Sequence, residues 1–269
     1  MTTSSYPPPV DKLLTLGDCR GTLARWPDYL ALGLDPEHIP DLIRMATDKE
    51  LNLADSESLV VWAPIHAWRT LGQLRAESAI EPLLSLLRNI DEHDSDWEGE
   101  ELPEVYGMIG PAAIPALAAY LADTSHGLWA RVAAASSLKH IGKHHFHARA
   151  ECVAILARQL EKFAEQDDTF NAFLVSPLLD LKAEEALPLM ERAFAADAVD
   201  ESVCGDWEDM QIEFGLKDHR EKPATYGLIP PLFAPLPPEP GDISTQSRKA
   251  KAKTKRKQQK QSRRKNRKR

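Results

Sequence analysis

A phrase that closes helices recurs four times along this chain: Trp68-x-x-Leu71-Gly72, Tyr106-x-x-Ile109-Gly110, Leu138-x-x-Ile141-Gly142 and, with glycine replaced, Leu178-x-x-Leu181-Lys182. The copies stand 38, 32 and 40 residues apart, each ahead of a second apolar helix. A helical unit of this size cannot bury its apolar face alone, so units repeating at such a period stack on one another.

The second helix of each unit opens with its own phrase, in Ala79-Ile80-Glu81-Pro82-Leu83, Ala113-Ile114-Pro115-Ala116-Leu117 and Ala186-Leu187-Pro188-Leu189. Proline is tolerated in a first helical turn, where the N–H it lacks has no intrahelical partner, so these prolines mark helix starts. Gly72, Gly110 and Gly142 sit where a left-handed residue would close the preceding helix. The pattern predicts helices over about 11–24 with 36–47, 57–71 with 78–90, 98–109 with 112–122, 127–141 with 147–165, and 169–181 with 185–196, with 206–214 as a short capping helix. No stretch alternates with period two for long enough to form a strand. The expected fold is therefore all-α, an α-α superhelix of about five helical hairpins with a disordered basic C-terminal tail.

The run Ala130-Arg131-Val132-Ala133-Ala134-Ala135, followed by Leu138 and Ile141-Gly142, resembles the Arg-x-x-Ala-Ala pattern of HEAT-like repeats, of the short kind found in phycobilisome lyases. Residues 62–87 and 101–123 are similar to a group of bacterial proteins built from such repeats. The resemblance covers roughly residues 10–215. It implies a HEAT-like fold, and functions that range over scaffolds, chaperone-like adaptors, lyases and DNA-repair enzymes. Some relatives end in a cysteine-rich zinc motif after a basic stretch, but this chain has no cysteine pair there, so that zinc function is not carried over.

Hydrophobic residues make up 43% of the 269, enough for a continuous core. Cys19, Cys152 and Cys204 are odd in number and far apart, and read as reduced thiols that favour a cytoplasmic compartment. The N-terminal stretch shows no basic region ahead of a long apolar run, and no window reaches bilayer-spanning length, so neither secretion nor membrane insertion is expected.

Charge is divided along the chain. Residues 244–269 carry 14 Lys or Arg and no acid, whereas residues 1–243 set 19 basic residues against all 41 acidic ones, a balance of −22. Seven prolines within 223–240 make a semi-rigid spacer. The expected organisation is a flexible terminus (1–10), a helical repeat domain (11–217), a Pro-rich linker (218–243) and a Lys/Arg-rich tail (244–269). In that tail, Lys253, Lys255, Arg256, Lys257, Arg263, Arg264, Lys265, Arg267, Lys268 and Arg269 are candidates for polyanion binding by counterion release. The alternatives are a tail lying along the acidic body and a terminus that only solubilises.

Eight carboxylates fall between Asp91 and Glu104, placed in a loop ahead of the third unit. Asp94-x-Asp96-x-Glu98-Gly99 imitates half of a calcium loop, but the twelfth position is Val105, so a solvated acidic loop is expected. Within it Asp96-Trp97-Glu98 recurs as Asp206-Trp207-Glu208, also at a helix start. Asp as N-cap, Glu in the first turn and Trp as a staple account for the pattern structurally. Functionally, Asp96, Trp97, Glu98, Asp206, Trp207 and Glu208 are candidates to receive a basic peptide along one edge.

His140, His144, His145 and His147 read as a polar inter-helix loop and not as a metal site, because Gly142 would end the helix between His140 and His144 and no Cys or carboxylate adjoins them in sequence. Nucleophile-elbow, phosphate-loop, His-Glu-x-x-His and dinucleotide fingerprints are all absent, so no catalytic residue, metal or cofactor is assigned. The expected function is a protein-interaction scaffold, with a protein partner on the helical surface, nucleic acid or ribonucleoprotein on the tail and no membrane. An enzyme of the lyase or DNA-repair type using the groove is the alternative.

Overall fold

The computed structural model describes residues 5–20, 26–93, 95–221 and 223–224. Among these residues all regular structure is helical. In chain order the α-helices are α1 (Ile39–Ala46), the single turn α2 (Lys49–Asn52), α3 (Ala63–Gln73), α4 (Ile80–His93), α5 (Asp96–Ile109), α6 (Ile114–Ala122), α7 (Leu128–His144), α8 (Arg149–Leu160), α9 (Asp168–Asp180) and α10 (Leu187–Ala195). Two short helices follow, α11 (Glu201–Cys204) and α12 (Trp207–Glu213).

The helices pack in two rows. In one, α1 lies on α3, α3 on α5, α5 on α7 and α7 on α9, with α11 closing on α9. In the other, α4, α6, α8 and α10 follow one another, and α7, the longest helix, touches α4, α6 and α8 of that row. The helix-closing phrase explains the core. Trp68, Leu71, Tyr106, Ile109, Leu138, Ile141, Leu178 and Leu181 are all buried, so each copy delivers one large side chain and one aliphatic to the same interior position of its unit. Each second-row helix after the first unit is entered through a three-residue 3-10 turn: Glu77–Ala79, Pro111–Ala113, Phe146–Ala148 and Glu184–Ala186. The last residue of every turn is a buried alanine, small enough to let the chain reverse against the core.

Several expectations are corrected. The helix predicted over 11–24 is a 3-10 segment, Val10–Thr15, followed by irregular chain in which Gly17 takes φ +70°; residues 21–25 lie outside the described residues. Of the three glycines assigned to helix ends, only Gly110 closes one, with φ +98°, a conformation that a side chain would strain. Gly72 and Gly142 lie inside α3 and α7; the left-handed residue after α3 is Arg75, and α7 ends without one, at His145 with φ −125°. At Gly142 the demand is for space, since an added Cβ would stand 2.8 Å from Leu181 Cδ2. The predicted acidic loop shrinks to the junction of two helices: Asp91 and Glu92 belong to α4, and Asp96 to Glu104 form the first turns of α5.

No single helix among the described residues is long and apolar enough to cross a membrane, and the pair that reaches the length together, α5 with the stretch to the end of α6, is bent by 115°.

Candidate functional site

The two Asp-Trp-Glu phrases open helices as expected, but differently. In α5 the N-cap position is Ser95 and not Asp96; the Ser95 hydroxyl donates to the Glu98 carboxylate. Asn89 Nδ2 also donates to Glu98 at 3.0 Å, so Glu98 is buried and satisfied within the chain. Trp97 meets the Trp62 ring edge-on at 5.3 Å, and the Arg20 guanidinium lies 5.1 Å from the Trp62 centroid. This phrase staples the start of α5 to the start of α3.

The second phrase is half-buried throughout. Asp206 caps α12, accepting from Asp209 N at 3.0 Å, while Asp209 accepts from Asp206 N at 3.2 Å. Trp207 packs on Phe194 of α10. The chain then doubles back and lays two cations on the phrase: Arg220 pairs with Asp206 at 2.5 Å and with Asp209, and Lys217 pairs with Glu208 at 3.0 Å. Burial works against the Asp206 charge, yet Arg220 and the backbone amides of Asp209 and Glu208 outweigh it and hold the carboxyl below its ordinary value. Each phrase thus keeps neighbours of its own, the first inside the body and the second against Lys217 and Arg220.

The histidine group is where the structure departs furthest from the sequence pattern. Because α7 runs through Gly142 to His144, His140 and His144 lie one turn apart on one face. Glu104 of α5 stands opposite both, 2.6 Å from His140 Nδ1 and 3.5 Å from His144 Nε2. The hydrogen bond from His140 holds the Glu104 carboxyl below its ordinary value against the effect of burial. Between the helices lies Gly107, where an added Cβ would stand 2.8 Å from His140 Cβ and 3.2 Å from His144 Nδ1. One donor atom from each of Glu104, His140 and His144 lies within 4.8 Å of the other two. The reason for excluding a metal here, a helix ending between the histidines with no carboxylate beside them, is therefore overturned. His145 is apart from this group, its Nε2 lying 3.0 Å from the Gly107 carbonyl.

The signal for this site was present as His140-x-x-x-His144 and Glu104-x-x-Gly107, but reading Gly142 as a terminator hid it. A second His-carboxylate group, Asp35, Glu37 and His38, is more exposed; Asp35 and His38 there form a capping box ahead of α1.

A shallow cleft between α4 and α6 is lined by Leu84, Arg88, Asp91, Tyr120 and His126. Asp91 is committed to the start of α7, accepting from Trp129 N and Ala130 N at 3.0 and 2.9 Å, and His126 stacks on Tyr120 at 3.7 Å. Burial pushes the thiols of Cys19 and Cys152 up to about 11 and that of Cys204 to about 12, far from nucleophilic character. The tail candidates from Lys253 to Arg269 lie outside the described residues. Comparison with protein-family models, with curated proteins and with solved structures found no match for this chain.

Proposed function

We propose that this chain is a HEAT-like adaptor, whose acidic helical body receives a protein partner and whose basic tail adds an electrostatic contact to nucleic acid or a ribonucleoprotein. The division of charge carries the reading: 14 cations and no acid in residues 244–269 follow a body with a balance of −22. The seating of Lys217 and Arg220 on Asp206, Glu208 and Asp209 supports the body's half of it, because two basic side chains already find carboxylate partners at that helix start in cis. A tail of this composition has little apolar surface to bury and gains affinity by releasing condensed counterions.

The test is anisotropy of a labelled single-stranded RNA titrated with the full chain and with a chain ending at residue 243, across a series of salt concentrations. If half of the tail cations engage phosphates, the logarithm of affinity falls with that of salt at a slope of about −5, and the truncated chain loses the binding. Equal binding by both chains, or none by the full chain at low salt, overturns the tail's role. A 244–269 peptide that binds the truncated chain and is not displaced by RNA assigns the tail to the body instead.

A further inference from the structure

We propose that Glu104, His140 and His144 form a mononuclear site for a divalent transition metal of the zinc class, which clamps α5 to α7 and leaves one coordination position open to solvent.

The donor set is the first ground. Two histidines four residues apart on one helix, with a carboxylate from a facing helix, supply the two imidazoles and one oxygen that zinc takes at three-ligand sites. The nitrogens facing Glu104 are Nδ1 of His140 and Nε2 of His144. Metal–ligand distances of about 2.0–2.2 Å place neighbouring donors roughly 3.4 Å apart around a tetrahedral ion. Glu104 Oε2 lies 2.6 Å from His140 Nδ1 and its Oε1 3.5 Å from His144 Nε2, and one donor atom from each of the three residues lies within 4.8 Å of the other two, so side-chain rotations bring the three to that spacing. On binding, the metal replaces the hydrogen bond between His140 Nδ1 and Glu104, and the neutral imidazole that ligates through Nδ1 carries its proton on Nε2.

The second ground is how the helices make room. Gly107 lies one turn beyond Glu104 on α5, and its missing side chain lets the backbone of α7 approach until both imidazoles overhang α5. Any other residue at 107 would push His140 away from Glu104.

The third ground is electrostatic. Lys139 and Lys143 neighbour the histidines on α7 and would repel a cation, but both turn to Asp180 of α9, at 3.5 and 2.9 Å. Glu104, His140 and His144 all keep a third or so of their side-chain surface exposed, which gives the ion its entry path and its fourth ligand from water.

The experiment uses the full chain without a polyhistidine tag, titrated with Co²⁺ as a spectroscopic probe and with Zn²⁺ against a chromophoric chelator. The expected result is one tight equivalent per chain, Co²⁺ d–d bands without a thiolate charge-transfer band, displacement of Co²⁺ by Zn²⁺, and a Zn²⁺-dependent rise in melting temperature. H140A/H144A should lose affinity at least about a hundredfold and E104Q at least about tenfold, whereas H147A and H38A retain it. Circular dichroism confirms folding, and H144A alone, at the more exposed ligand, serves if the double variant unfolds. Retained affinity in H140A/H144A or in a folded H144A, loss in H38A, a thiolate band, or no saturable equivalent in the full chain overturns the site.

Discussion

Arg69 and Glu101 are buried side chains of opposite charge, on α3 and α5, joined by two hydrogen bonds of 2.8 and 2.5 Å. Residues of this kind are almost never buried unless paired, and removing one leaves the other's charge without compensation in a poorly solvated site. Glu101→Ala is therefore expected to lower the unfolding free energy by about 3–5 kcal/mol, measured by urea denaturation, while Arg69→Met with Glu101→Leu recovers most of the loss. In the sequence Glu101 is one of eight carboxylates in a row of acids, and nothing there distinguishes it from its exposed neighbour Glu100. His66 is also buried, its Nδ1 2.7 Å from the Tyr29 hydroxyl and its Nε2 2.8 Å from the Gly17 carbonyl. Burial, reinforced by Arg69, holds its pKa below the ordinary 6.5. The unfolded chain then takes up the proton first as pH falls, so His66 contributes stability above about pH 6.5 that is lost as pH drops from there towards the folded value. The urea midpoint of the wild type should fall between about pH 7.5 and 5.5, and His66→Gln should show a smaller fall over the same range.

At the scale of elements, helix starts followed the local chemistry of proline and acid, whereas of the three glycines read as helix ends only Gly110 ends one. The two kinds of signal differ physically. A proline in the first turn acts through its own ring and missing N–H, whereas a glycine inside a helix is required by whatever lies across from it. Gly107 and Gly99, both in α5, separate these demands. At Gly107 a Cβ meets His140 Cβ at 2.8 Å and its carbonyl carbon at 3.3 Å, which are not flexible ends, whereas at Gly99 the nearest atom is Ile90 Cδ1 at 3.7 Å. Gly107→Ala is expected to lose about 1–2 kcal/mol net, overpacking outweighing the better helix propensity, and Gly99→Ala to gain about 0.5–1 kcal/mol. Thermal unfolding of the two variants beside the wild type checks the opposite signs.

At the scale of the whole molecule, the repeated phrase brings its side chains into one contiguous core, because each copy sits at the same place in its unit and the units pack in chain order. Residues 1–243 balance at −22, and a field of that sign attracts cations, as the seating of Arg220 on Asp206 and Asp209 illustrates. The salt series on RNA separates the two halves of that electrostatic design. The proposed contacts of the tail are expected to weaken steeply with salt, while the helical body, held by burial, is expected to keep its fold across the same range.

All-helical structure, the starts of most helices and the buried phrase residues follow from the amino-acid order, since period, caps and first-turn prolines act within a few residues. The N-terminal departure from α-helix, the passage of α7 through Gly142 and the burial of Glu98 and Glu101 were settled by packing. The facing of Glu104 with His140 and His144 belongs to the same class. Each depends on which backbone comes close to which, over separations of more than thirty residues in the case of Glu104, and residue order carries no local mark of that approach. The candidate metal site is accordingly a product of tertiary structure, made when two helices close over Gly107.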